Sequence, residues 1–199
     1  MCLVGDQSTR LAAEFAEWMH RRRSAAAILK NPSPEEVGSF LNLNRTLVIL
    51  GHDGLHLRVH SMRREANGGV WLQGDELGRR FRGVRQYLWA CETMGAGSTR
   101  SDALADQARA AGAGRVAGHS VTLNADFDQL GGPFAEDFRS ALAQLIWGFV
   151  DGEDDSSRLK LRAREMLPFS LDLDFDPSRL DWFRRKTWLE DRIQHFHIV

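Results

Sequence analysis

Apolar positions along the chain alternate between helical spacing and strand spacing, and the turn residues fall where the spacing changes. From Ser8 to Lys30, Leu11, Phe15, Trp18 and Met19, then Ile28 and Leu29, recur at helical spacing and predict a long amphipathic helix, with Ser24 the point at which it could break. Ser33, Pro34 and Glu36 form a helix start, with Ser33 as cap, Pro34 at the first helical position and Glu36 closing a capping box; Val37, Phe40 and Leu41 follow on that helix. Thr46 to Leu50 is a β-branched apolar run. It ends at Gly51-His52-Asp53-Gly54, beyond which Leu55, Leu57 and Val59 alternate with His56, Arg58 and His60. This predicts a hairpin, and Ala66-Asn67-Gly68-Gly69 followed by Val70 to Leu72 extends it to a three-stranded antiparallel meander.

Downstream, Asp75 is the predicted cap of a helix carrying Leu77, Phe81, Val84, Leu88 and Cys91 as one stripe. The small residues from Ser101 to Gly114 predict a weak helix and a mobile loop that bury little. Val116 to Ala125 reads as a strand. Phe134, Phe138, Leu142, Leu145 and Phe149 predict the most secure helix of the chain, stopped at Gly152. Arg158 to Glu165 is ambiguous: Leu159, Leu161 and Ala163 alternate as in a strand, whereas the charged content suits a helix. Phe169 to Asp176 alternates as a strand with Asp172, Asp174 and Asp176 on one face, and Asp176-Pro177 begins a terminal helix with Leu180, Trp182, Phe183, Leu189 and Ile193 turned inward.

No fixed-period repeat or low-complexity linker divides the chain, so one domain over residues 1–199 is expected. The predicted class is α+β, with an antiparallel sheet, made of the N-terminal meander and later strands, covered by helices.

Composition narrows the picture. The 26 Lys and Arg residues balance 27 Asp and Glu, so no global field draws the protein to nucleic acid or an anionic membrane. Only Lys30, Lys160 and Lys186 are lysines, an arginine bias that suggests a bacterial source with a G+C-rich genome. Uninterrupted apolar runs reach about five residues, far short of a membrane span. With charges at Asp6, Arg10, Glu14 and Glu17 and no signal-peptide pattern, a cytoplasmic protein is expected. The two cysteines, Cys2 and Cys91, form no disulfide framework or metal knuckle, and Cys91 reads as a small buried residue on a helix. Met1-Cys2 lacks the glycine that would follow an N-terminal cysteine nucleophile.

Three groups of residues carry candidate chemistry. Asp172 and Asp174 lie about 7 Å apart on one strand face, the spacing with which paired carboxylates hold Mg or Mn in phosphoryl-transfer sites. His195 and His197 add a His-x-His pair that points one way if its backbone is extended. Arg79, Arg82 and Arg85 share a face of the predicted helix and suit phosphate contacts. His52, His56 and His60 are spaced by four, but on a hairpin His56 and His60 sit about 13 Å apart, too far for one metal.

Walker A, dinucleotide, nucleophile-elbow and zincin motifs are absent. The leading expectation is therefore a non-enzymatic interaction protein that binds a protein partner without a cofactor, of the immunity, antitoxin or adaptor kind. The alternatives are a metal-dependent phosphodiesterase or nuclease on the Asp172 and Asp174 strand, and local nucleic-acid binding through Arg79, Arg82 and Arg85.

Overall fold

A computed structural model describes residues 2–5, 10–23, 27–30, 33–41, 46–50, 58–60, 70–89, 93–94, 103–121, 135–167 and 177–199. Eight strands and seven helices run through these segments. They are β1 (Cys2–Gly5), α1 (Arg10–Arg22), β2 (Ala27–Lys30), α2 (Pro34–Leu41), β3 (Thr46–Leu50), β4 (Arg58–His60), β5 (Val70–Gln73), α3 (Gly74–Arg80), β6 (Arg85–Trp89), α4 (Leu104–Ala110), β7 (Val116–His119), α5 (Ala135–Val150), α6 (Ser156–Glu165), α7 (Pro177–Gln194) and β8 (Phe196–Ile198).

Six strands form one sheet in the order β2-β1-β3-β6-β7-β8, while β4 and β5 form a separate antiparallel hairpin. Every pairing within the large sheet is parallel except that of β7 with β8. The expected antiparallel α+β architecture is thus overturned: the sheet is mixed and mostly parallel. The predicted meander survives only as the β4/β5 hairpin, because β3 pairs with β1 and β6 instead of with β4. Continuous apolar runs such as Leu47-Val48-Ile49-Leu50 belong to strands covered on both faces, and parallel sheets are covered in this way.

The side chains of β3 show the layering directly. Val48 and Leu50 face a cluster with Phe15 and Met19 of α1, Leu142 and Phe149 of α5, Leu159 of α6 and Leu189 of α7. Leu47 and Ile49 face the other way, against Val37 of α2, Leu77 and Phe81 of α3 and Leu104 of α4. Helices therefore cover both faces, giving a three-layer α/β/α arrangement.

The stripe from Leu77 to Cys91 is not one helix. α3 closes at Phe81, whose backbone N–H donates to the Leu77 carbonyl, and Arg85 to Trp89 form the central strand β6. The long helix expected from Ser8 to Lys30 likewise divides into α1 and the edge strand β2. The expected weak and mobile stretch contains α4, whose Leu104, Ala105 and Ala108 are fully buried. α4 packs so closely on α3 that a Cβ at Gly78 would lie 2.2 Å from the Ala108 carbonyl oxygen.

Other predictions hold. Glu36 N–H donates to Ser33 Oγ at 3.2 Å and Ser33 N–H to the Glu36 carboxylate at 2.6 Å, completing the predicted capping box. The ambiguous segment is the helix α6, capped by the Asp155 carboxylate, which accepts from Ser157 and Arg158. The predicted strand from Phe169 to Asp176, with Asp172 and Asp174, lies outside the described residues. Among the described residues, no helix is long and apolar enough to cross a membrane.

Candidate functional site at the carboxyl edge of the sheet

The strand order defines where a ligand would sit. β1 leads outward to β2, whereas β3, β6 and β7 succeed one another on the other side of β1, so the winding reverses between β1 and β3. In doubly wound sheets the crevice at such a switch point opens beyond the carboxyl ends of the strands. Here that edge is formed by Gly5, Leu50, Trp89 and His119, with Gly5 opposite Leu50 and Leu50 opposite Trp89. β8 runs in reverse, so its first residue, Phe196, lies opposite His119 and brings His195 to the same edge.

Beyond Trp89 the chain is fastened at Thr93. This residue is fully buried, and its hydroxyl donates to the Leu88 carbonyl and accepts from His119 N–H, each at 3.3 Å. Its carbonyl accepts from Ala105 N–H at 2.9 Å, and Met94 N–H donates to His119 at 3.1 Å. The fit tolerates no side chain at Gly118, where a Cβ would stand 2.3 Å from Thr93 Oγ1. Both ends of the passage from Trp89 to Thr93 are thus held against β6 and β7.

Beneath this edge, His119 is buried among Tyr87, Trp89 and Phe196. Its Nε2 lies 3.0 Å from Tyr87 Oη and its Nδ1 3.1 Å from the Arg192 carbonyl. That carbonyl can only accept, so Nδ1 carries the hydrogen and Nε2 accepts from the phenol. Loss of hydration pushes the His119 imidazole down to about 3, and burial pushes the Tyr87 phenol well up. Both groups are neutral and hydrogen-bonded, which makes them a support for the edge rather than a source of protons.

A second cluster is partly open to solvent. Ser120 follows His119, and its backbone N–H donates to the His195 carbonyl at 3.0 Å. Its Oγ lies 3.1 Å from His195 Nδ1 and 3.1 Å from His197 Nε2. On the far side of His195, Nε2 lies 3.6 Å from Asp191 Oδ1. His195, in the turn that closes α7, and His197, on β8, therefore approach one serine from different backbone conformations.

The arginines expected to share a helix face do not share one. Arg79 lies on α3 and pairs with Asp75 at 2.8 Å, Arg82 lies in the turn after α3, and Arg85 opens β6. Arg85 is occupied structurally: it binds the Phe149 carbonyl at the end of α5, pairs with Asp154 at 2.8 Å, and stacks on the Phe149 ring. The carboxylate it meets belongs to the acidic loop Glu153-Asp154-Asp155, and it is reached from a strand.

Sequence reasoning missed Ser120, His119 and Asp191. Only Asp191, four residues before His195 on a helical stretch, left a usable spacing signal. His60 lies on β4, while His52, His56 and Cys91 fall outside the described residues. Cys2 lies at the amino end of β1, opposite Ala27 and Leu47, where the sequence had suggested no strand. No family model matches the chain, and no curated protein matches it significantly.

Proposed function

We propose that the chain is a cysteine-dependent hydrolase of the peptidase type, with Cys91 as nucleophile and His52 as its acid–base partner. One observation carries this reading: β3 and β6 are adjacent parallel strands with Leu50 opposite Trp89. His52 follows Leu50 by two residues, and Cys91 follows Trp89 by two. Neighbouring strands lie about 4.8 Å apart, so the carboxyl ends of β3 and β6, each two residues before one member of the proposed pair, are adjacent at the ligand edge of the sheet. Thr93, two residues past Cys91 in sequence, is itself held to the Leu88 carbonyl of β6.

Cysteine and histidine at such a place suit acyl transfer. The imidazole takes the thiol proton, and the thiolate adds to the substrate carbonyl carbon. The protonated imidazole then gives that proton to the leaving amine, and the C–N bond breaks. A water molecule, deprotonated by the same imidazole, cleaves the thioester and regenerates the thiol. The same pairing serves cysteine peptidases on unrelated scaffolds. The fold alone does not specify chemistry, so the weight rests on the two strand ends.

The test is covalent labelling with a peptidyl electrophile such as an acyloxymethyl ketone, followed by mapping of the modified peptide. Labelling of Cys91, abolished by His52→Ala while Cys2 stays unmodified, supports the reading. Equal slow labelling of both cysteines defeats it. The partner-binding expectation is the second reading, favoured by the exposed apolar side chains of Phe40, Leu161 and Met166. It predicts a stable complex in pull-down and no labelling preference for Cys91.

A further inference from the structure

We propose that His195 and His197 form a binding site for a zinc-class divalent metal at the carboxyl edge, with Ser120 as the oxygen donor between them. The ring nitrogens of both histidines approach one oxygen. His195 Nδ1 and His197 Nε2 approach the same atom, Ser120 Oγ, at 3.1 Å each. A hydroxyl has one hydrogen to give, and Ser120 Oγ also lies 3.5 Å from the His195 carbonyl oxygen, so at most one ring accepts from it. Asp191 Oδ1 lies 3.6 Å from His195 Nε2, an ion-pair contact on the far side of that ring from Ser120.

A carboxylate on the far nitrogen of a histidine is the usual outer support of a metal-bound imidazole, orienting the ring and raising its basicity. The backbone sets the spacing. His197 sits on β8 opposite Gly118, while His195 and Ser120 lie just outside the paired ends of β8 and β7 and are joined by the bond from Ser120 N–H to the His195 carbonyl.

The donor set selects the metal. Two imidazoles favour zinc, nickel or copper over the oxygen-seeking magnesium and manganese. Among the described residues, no group of three or more His, Cys, Asp or Glu converges as metal ligands. Two nitrogens and a hydroxyl leave the remaining positions to water, so binding is weaker than at a site whose ligands all come from the protein.

The site stands on its own geometry and does not depend on the thiol chemistry. The test therefore uses zinc and the Cys91→Ser chain, with affinity read by competition against a chromophoric chelator. The expected result is one equivalent of zinc per chain, weakened at least about tenfold by His195→Gln and by His197→Gln. Asp191→Asn, a change at an exposed position that spares both ligands, is expected to weaken binding about tenfold. Zinc should raise the melting temperature of the Cys91→Ser chain and not that of its His197→Gln derivative. No saturable binding to the Cys91→Ser chain, or binding undiminished by both histidine substitutions, overturns the proposal.

Discussion

At the scale of the residue, the buried histidine is the most informative side chain. His119 is neutral in the folded protein, held at about 3 against an ordinary value near 6.5. Its folded-state value is depressed, so the unfolded chain binds the extra proton first as the pH falls. The stability it contributes is complete above about pH 6.5 and is lost progressively as the pH drops toward 3. Denaturant midpoints measured between pH 7 and pH 4 should fall, with this group contributing up to about 1.4 kcal/mol per pH unit. His119→Gln should lower stability at pH 7 and flatten that slope; an unchanged slope would mean that His119 is hydrated. Tyr87→Phe removes the donor to His119 Nε2 and should cost about 1–3 kcal/mol at pH 7 by leaving a buried acceptor unpaired.

At the scale of the element, packing decided what periodicity left open. α6 carries Leu159 and Leu161, which an alternating strand would place on one face; the helix buries Leu159 completely and leaves Leu161 58% exposed. Leu159→Ala should therefore cost about 2–5 kcal/mol, whereas Leu161→Lys should change stability by less than about 0.5 kcal/mol in urea titrations. Similar losses at both positions would favour the strand. Gly78 marks the contact of α3 with α4, and Gly78→Ala should cost about 1–3 kcal/mol because the new methyl meets backbone.

The same elements show why parts of the sequence misled. Leu77, Phe81, Val84 and Leu88 kept helical spacing across the break between α3 and β6, and nothing local distinguished the five-residue strand Arg85–Trp89 from a further helical turn. α4 looked weak because it has few large side chains. Its alanines matter through their smallness, which allows backbone-to-backbone approach. Ser33 and Pro177 sit at helix starts, where local hydrogen bonding and fixed proline geometry are legible without tertiary context, whereas the cap at Asp155 was not recognised.

For the whole molecule, the error lay in reading sequence order as spatial order. Thr46 to Leu50 was recognised as a strand, and its unbroken apolar run was a signal for burial on both faces. A turn-like Gly51-His52-Asp53-Gly54 nevertheless drew the next strand against it as a hairpin. Parallel pairing joins residues such as Leu3 and Val48, or Val48 and Tyr87, and no short-range pattern reports contacts so distant in sequence. The candidate site was correspondingly hidden. The proposed role of Cys91 depends on β6 being a strand whose carboxyl end lies beside that of β3, and the proposed role of His195 with His197 depends on Ser120 arriving from β7. One consequence can be checked globally: Phe196 of β8 is fully buried against Tyr87 and His119, so Phe196→Ala should cost about 3–5 kcal/mol. A loss under about 1 kcal/mol would mean that the sheet ends at β7.

The most direct test of the central claim is the pH dependence of alkylation at Cys91. If the proposed pair forms, His52 assists the thiol, and Cys91 should react with iodoacetamide at a lower pH than Cys2 does. His52→Ala should abolish that difference with the melting temperature unchanged. An ordinary profile for Cys91 in the native chain, identical in His52→Ala, would contradict the placement of a catalytic pair at the carboxyl edge of β3 and β6.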